Sequence, residues 1–286
     1  MIATRPDELT AEPRAVAIGT FDGVHLGHRA VIRAAVDAGL RPTVVTFDPH
    51  PRILFGHQVE LLSTLERRLE LLEECGIEDV LVVEFTAETA ALSAEDFATD
   101  VLSRIGTEVV VAGEGFRFGA RRAGDLDVLR SLGLDAREVP LVRGVSSSRI
   151  RQHAHHAEVE AAARLLGRPL EVDGLVVSGD QRGGTLGFPT ANLRIDPALL
   201  VPGFGIYAGA VSDRRAAVSI GVNPHYGGTE RRVEAYLLDW EGDLYGRRLV
   251  VELWQHLRDE RAFESEADLV AQIARDVDET RAATRP

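Results

Sequence analysis

Between residues 14 and 113 four short apolar runs alternate with amphipathic helical patterns, and this alternation limits the possible folds more than any other feature of the chain. "RAVAIG" (14–19), "PTVVTF" (42–47), "DVLVVEF" (79–85) and "EVVVAG" (108–113) read as strands buried on both faces of a parallel sheet. Between them, "HRAVIRAAVDAG", "LERRLELLEECG" and "AEDFATDVLSRIG" carry apolar residues at spacings of three and four. Each ends in glycine, a frequent helix terminator. Strand and helix repeated in this order predict an α/β domain with a doubly wound parallel sheet.

A helical stretch, "SSSRIRQHAHHAEVEAAARLLGRP", ends this pattern, and after Pro169 the character of the chain changes. "LEVDGLVVSG", "GIYAGAVSD", "RAAVSIGV", "RRVEAYLLDW" and "RRLVVELWQHL" are short β-type runs separated by Gly, Asp and Asn. Such runs signal an antiparallel barrel or sandwich, and a barrel is expected here. A last helix is predicted over about 265–283, with Leu269, Ile273 and Val277 on one face. The predicted domains are 1–168 and 169–286.

Composition removes several function classes. The net charge of −13 would repel a phosphate backbone, which argues against a nucleic-acid partner. All 32 basic residues are arginine, so neither a P-loop lysine nor a Schiff-base amine is available, and any nucleotide chemistry must use arginine, histidine, metal and backbone amides. Cys75 is the single cysteine, which excludes an internal disulfide and a cysteine-cluster metal site. No apolar run is long enough to cross a bilayer and the N-terminus does not read as a secretory signal, so a cytoplasmic protein with no membrane association is expected. Nothing implies an obligate protein partner.

The stretch "GTFDGVHLGH" (19–28) follows the first strand and opens a helix. A helix N-terminus offers unpaired amides and a positive dipole end, and Gly19, Gly23 and Gly27 let a ligand approach the backbone. His25 and His28, three apart, can both point into that mouth and stabilise charge developing on a phosphate. The run resembles the GxFDGxHxGH signature of nucleotidyltransferases. With "VVTFDPHP" (44–51), "GEGFRFG" (113–119) and "SSSRIR" (146–151) in that order, the half-chain resembles the adenylyltransferase module of bacterial bifunctional riboflavin kinase/FAD synthetases. The resemblance implies ATP binding by Gly19, Phe21, Gly23, His25, His28, Ser147, Ser148 and Arg151, with the two histidines catalytic. It implies a flavin side formed by Asp48, His50 and Phe116. Phe118 reads as a core aromatic. Gly115 departs from the family, whose members commonly carry Asp or Asn there.

In the second half, "SGDQRGGTLGFPTANLRI" (178–195) leads a glycine-rich loop to Pro-Thr-Ala-Asn. In an extended segment Thr190 and Asn192 share a face, and a hydroxyl with an amide carbonyl suits Mg²⁺ held together with substrate phosphates. "LGFPTANL" resembles the GFPTAN signature of riboflavin kinase, supported by "PGFGIYAG", "IGVNP", "VEAYLLD", "DLYG" and "LRDERAF" in order. The resemblance implies that Thr190 and Asn192 bind Mg²⁺ and ATP, that Arg182 and Gly187 contact ATP, and that Glu234 is the base on the ribityl hydroxyl. Gly184, His225 and Tyr226 depart from the family pattern.

The expected function is therefore bifunctional: MgATP-dependent phosphorylation of riboflavin to FMN, and adenylylation of FMN to FAD with release of pyrophosphate. The expected ligands are riboflavin, FMN, FAD and ATP. Two alternatives stay open, a riboflavin kinase with an inactive or weakened adenylyltransferase module, and a flavin- or nucleotide-binding protein without turnover.

Overall fold

The computed structural model describes residues 1–179, 186–222 and 231–286. They form two compact units, Met1–Val59 with Thr64–Val145, and Glu60–Ser63 with Ser146–Pro286.

The first unit is built on six strands: β1 (Ile2–Ala3), β2 (Arg14–Ile18), β3 (Arg41–Asp48), β4 (Asp79–Glu84), β5 (Thr107–Gly113) and β6 (Asp135–Val139). They pair in parallel in the order β1-β4-β3-β2-β5-β6. Every residue of β2 is buried. Ala15 and Ala17 join Val31 and Ile32 of helix Leu26–Val36 and Leu71 and Leu72 of helix Leu65–Glu74. Val16 and Ile18 pack on the opposite face with Phe97, Leu102 and Leu129. Both faces are covered, so the sheet is doubly wound, and each of those leucines contributes roughly 1.5–3 kcal/mol by leaving water.

The expected helix "AEDFATDVLSRIG" is not uniform. It starts as α over Ala94–Phe97, widens into a π turn at Ala98–Leu102 and tightens to a 3-10 turn at Ser103–Ile105. Gly106 ends it with a φ of 78°, and a Cβ there would lie 2.3 Å from the Glu12 carbonyl oxygen, so the terminator is also a packing requirement.

The second unit contains a closed barrel of β7 (Leu170–Val177), β8 (Ala191–Ile195), β9 (Gly205–Val211), β10 (Arg214–Val222), β11 (Arg231–Leu237) and β12 (Arg248–Arg258). The strands pair antiparallel in the order β10-β11-β8-β7-β12-β9. Val172, Val218, Ile220, Val233, Ala235, Val251 and Leu253 share one core with Ile150 and Ala154 of helix Ser147–His155 and Ala162 and Leu166 of helix Val159–Leu166. A side chain on Gly209 would collide with the Glu252 carbonyl oxygen at 1.9 Å, so glycine lets β9 and β12 close the barrel.

The terminal helix spans Glu266–Ala282 behind an Ser265 cap. Val277 is buried as expected, but so are Gln272, Asp276 and Thr280. Arg258 grips Asp276 through Nη2 at 2.7 Å, and Gln272 Nε2 donates to the same carboxylate at 2.8 Å. This polar network turns the inward face away from a purely apolar stripe.

Candidate active sites

In the first unit the chain runs from β2 outward to β3 and β4, then returns to the other side of β2 with β5. Ligands of open α/β sheets bind outside the carboxyl ends of strands at such a reversal. "GTFDGVHLGH" leaves the carboxyl end of β2, Asp48 and His50 lie at and beyond that of β3, and Gly115 and Phe116 follow β5. Three adjacent strands thus deliver the three sequence-predicted segments to one edge.

The loop after β2 is held in an uncommon conformation. Phe21, Gly23 and Val24 have φ of 49°, 78° and 39°. Non-glycine residues with positive φ cost about 1–3 kcal/mol each and concentrate at functional sites. His25 caps helix Leu26–Val36, its Nδ1 accepting from the His28 backbone N–H at 3.2 Å. The two imidazoles stack with centroids 3.6 Å apart, and Phe21 presents its edge to His28 at 5.4 Å. A Cβ on Gly27 would sit 3.1 Å from the His25 ring, and one on Gly19 would sit 3.2 Å from that of Phe21. Burial, and then the charges of His25 and Arg68, hold His28 well below the usual histidine range. A stacked imidazole pair at a helix N-terminus can donate to phosphate oxygens.

The burial of two charged residues of this region is not evident from the motifs. Asp22 and Arg68 are each only 1% exposed. In "LERRLELL" Arg68 occupies the row otherwise filled by Leu65, Leu71 and Leu72, and a charge in an apolar row was the available signal.

On the flavin-predicted side, His50 caps the short helix Pro51–Leu54, its Nδ1 accepting from Arg52 N–H at 3.2 Å. Phe116 stacks on buried Phe118 with centroids 5.6 Å apart, and Phe118 sits in the core as expected. Phe118, Phe97, Phe47, Phe85 and Phe55 continue as neighbouring aromatic pairs 5.6–6.3 Å apart. Gly115 has a φ of 73°, and its N–H donates to Glu138 Oε1 at 3.2 Å, while Glu114 Oε2 accepts from Leu141 N–H at 3.3 Å.

Ser147, Ser148 and Arg151 belong to the second unit, on helix Ser147–His155. Ser146 is its N-cap, accepting from Arg149 N–H at 3.3 Å, and Arg151 Nε donates to the Glu60 carbonyl at 2.6 Å.

In the barrel, β8 pairs with β11 so that Asn192 lies directly opposite Glu234, and Ser219 of β10 faces Glu234 from the other side. The Thr190 hydroxyl donates to Glu234 Oε2 at 3.4 Å, and Arg232 Nη1 lies 3.6 Å from Oε1. The Glu234 side chain is 31% exposed. A Cβ on Gly179 would fall 2.3 Å from Asn192 Nδ2 and 2.6 Å from Oδ1, so the Asn192 amide lies directly against the backbone at Gly179. Gly187 has a φ of 86° with open space around it. Beside Thr190, a cavity of about 230 Å³ is lined by Val176, Pro189, Leu237, Trp240 and Tyr245 among others. Burial pushes the Glu260 carboxyl up; Arg258 opposes the shift and Glu234 adds to it. Arg182, Gly184, His225 and Tyr226 lie outside the described residues.

The family model for FAD synthetase matches residues 7–151, and that for riboflavin kinase matches residues 166–284. A bifunctional riboflavin kinase/FMN adenylyltransferase of Listeria monocytogenes is 35% identical, over 96% of this chain and 94% of that protein. Its counterpart of Escherichia coli is 37% identical over 91% and 90%, and that of Bacillus subtilis 34% over 96% and 95%. A crystal structure described as a macrolide-efflux protein from Streptococcus pneumoniae matches with a TM-score of 0.86 at 30% identity, covering 98% of each chain. Among the described residues no helix is long and apolar enough to cross a membrane. With both family models present in one chain and relatives of this identity over nearly its full length, the chain belongs to the family of bifunctional riboflavin kinase/FMN adenylyltransferases.

Proposed function

We propose that the chain makes FMN from riboflavin and FAD from FMN, spending ATP in both steps, with the division of labour near residue 168. Family models of both activities, in one chain, support the bifunctional reading over a kinase alone.

For the kinase step, the observation that carries the assignment is the register that sets Asn192 opposite Glu234 with Thr190 at 3.4 Å. The riboflavin 5′ hydroxyl attacks the γ-phosphorus of ATP, its proton passes to Glu234, and ADP leaves. A base is needed because an alcohol must lose its proton as it attacks. Among the described residues there is no cluster of three His, Cys, Asp or Glu fit to hold a metal. Mg²⁺ arriving with the triphosphate fits the donors present, since Thr190 and Asn192 supply neutral oxygens beside a carboxylate. The ion would neutralise charge on the phosphates; Thr190 and Asn192 would hold it, and Arg182 and Gly187 would contact the nucleotide.

For the adenylyl step, a phosphate oxygen of FMN attacks the α-phosphorus of ATP and pyrophosphate leaves. His25 and His28 donate to the phosphate where charge accumulates, with Gly19, Phe21 and Gly23 shaping the approach. Ser147, Ser148 and Arg151 engage the triphosphate. Asp48, His50 and Phe116 bind the flavin, and Phe47 and Phe85 extend its aromatic wall.

Chromatography of products from riboflavin with MgATP, beside a reaction started from FMN, tests this. FMN appearing first and FAD following, with FAD also formed from FMN, is expected. His28→Ala should stop FAD formation and leave FMN formation intact. FMN accumulating with no FAD from either start would refute the adenylyltransferase assignment.

A further inference from the structure

Arg68 has no role in the scheme above, yet it is a buried cation at the core of the first unit. Its Nη1 donates to the Thr46 hydroxyl at 3.3 Å and to the Phe47 carbonyl at 3.0 Å, and Nη2 stands 4.0 Å from Asp48 Oδ1. The Thr46 hydroxyl in turn donates to the Thr20 carbonyl at 3.2 Å. These contacts run from the carboxyl end of β3 into the loop that carries Phe21, Gly23 and His25. Asp22, in that loop, is the buried anion whose charge acts on the guanidinium, together with that of Asp48. Nε and Nη2 of Arg68 are sealed from solvent without a hydrogen bond, and so is Nδ1 of His28. A buried guanidinium with open donors costs several kcal/mol, and an apolar side chain would complete the leucine row at lower cost. Its position needs another reason than stability.

We propose that Arg68 is a positioning residue for adenylyl transfer, a buried cation that clasps the flavin-bearing end of β3 to the histidine-bearing loop of β2. The inference rests on the reading of the His25–His28 mouth as the adenylylation site. Fixing both segments to one guanidinium holds attacking phosphate and α-phosphate in line, and a misplacement of about 1 Å at such a site costs on the order of 10²-fold in rate. The same charge favours uncharged His28. His28 faces the His25 ring and the Phe21 edge and feels the charge of Arg68, and Arg68 in turn feels those of Asp22 and Asp48. Without the cation His28 would protonate at higher pH.

The test uses the full chain carrying R68M, R68K or T46V, with H28A in parallel. FAD formation from FMN and MgATP is followed over a pH series for kcat and both KM values. Riboflavin kinase activity and the thermal midpoint of each preparation report folding. For R68M, kcat should fall about 10²-fold with each KM within roughly threefold, and the acid limb of kcat should move to higher pH. R68K should recover about tenfold and keep the wild-type acid limb, and T46V should lose about threefold to tenfold through its single link. A folded R68M with wild-type kcat and acid limb overturns the proposal, and so does an R68K as impaired as R68M with the acid limb unmoved. If R68M does not fold, R68K and T46V decide: reduced kcat in both supports the clasp, wild-type kcat in both overturns it. H28A separates the two levels, since retained FAD formation in H28A would refute the parent reading, whereas its loss beside an unaffected R68M would refute only the role of Arg68.

Discussion

Gly179→Ala adds one carbon to the second unit and aims it at Asn192. Gly179 has no left-handed φ, so alanine carries no backbone strain, and the whole effect comes from where the new Cβ falls. It falls 2.3 Å from Nδ2, 2.4 Å from Cγ and 2.6 Å from Oδ1, the complete amide end of Asn192. Ordinary carbon contacts begin near 3.5 Å, so the amide must retreat by about 1 Å. Displacement of that size at a reacting site costs on the order of 10²-fold. Because Asn192 is part-exposed, the fold loses less than about 1 kcal/mol. The assay is initial-rate FMN formation from riboflavin and MgATP, with FAD formation from supplied FMN as the internal reference and the thermal midpoint as the fold control. A folded variant with kinase kcat within threefold of wild type would refute the argument that Asn192 is held in working position by the missing side chain at 179.

Three further outcomes follow from buried charge and backbone geometry. Burial opposes ionisation of Asp79, but Arg41, the amino terminus and Arg14 outweigh it and hold the carboxyl far below its usual value of 3.8. That stability is present above pH 3.8 and is lost as the pH falls below it. Asp79→Asn, which removes the negative charge paired with buried Arg14, should cost the first unit about 3 kcal/mol by denaturant titration at neutral pH. His28 is depressed below 6.5 in the folded chain, so as the pH drops past that value the unfolded state takes up a proton the native state refuses. Thermal midpoints should therefore decline through this window, and His28→Gln should flatten the decline. At Gly115, with a φ of 73° and no atom within 4 Å of a built Cβ, asparagine should cost under about 1 kcal/mol and valine about 1–2 kcal/mol, measured by urea unfolding.

How much the sequence disclosed depends on where each interaction is made. β2 to β5 are legible because strands buried on both faces carry near-continuous apolar runs. β6, "DAREV", escaped because as an edge strand it buries only Ala136. β8 was legible only as an extended segment placing Thr190 and Asn192 on one face. That Glu234, 44 residues later, would stand beside them is a matter of β8–β11 register, which periodicity does not carry. The inward polar face of the last helix depends on Arg258 reaching Asp276 across 18 residues, and the two Asp charges on Arg68 come from other elements. In each case the sequence gives a residue in an unexpected row, and only the packing supplies its partner.

The placement of acids and imidazoles follows from the two nucleophiles. The phosphate of FMN is already ionised at neutral pH, so the adenylyl step gains from donors that steady charge and needs no base. In the first unit the edge of β2 offers the stacked His25 and His28 imidazoles, and burial holds His28 below the usual histidine range, consistent with donation rather than proton abstraction. A ribityl hydroxyl is not ionised, and there the barrel sets the Glu234 carboxylate beside Thr190 and opposite Asn192. Glu234→Gln preserves the size of that side chain and the acceptor for Thr190 while removing the proton acceptor. FMN formation should fall by about 10²- to 10⁴-fold, the usual weight of a general base, while FAD formation from supplied FMN continues at the wild-type rate. If the substitution left the kinase step within tenfold of wild type in a folded protein, the hydroxyl would be losing its proton elsewhere. The pairing of an ionised nucleophile with imidazoles and an alcohol with a carboxylate would then have to be abandoned.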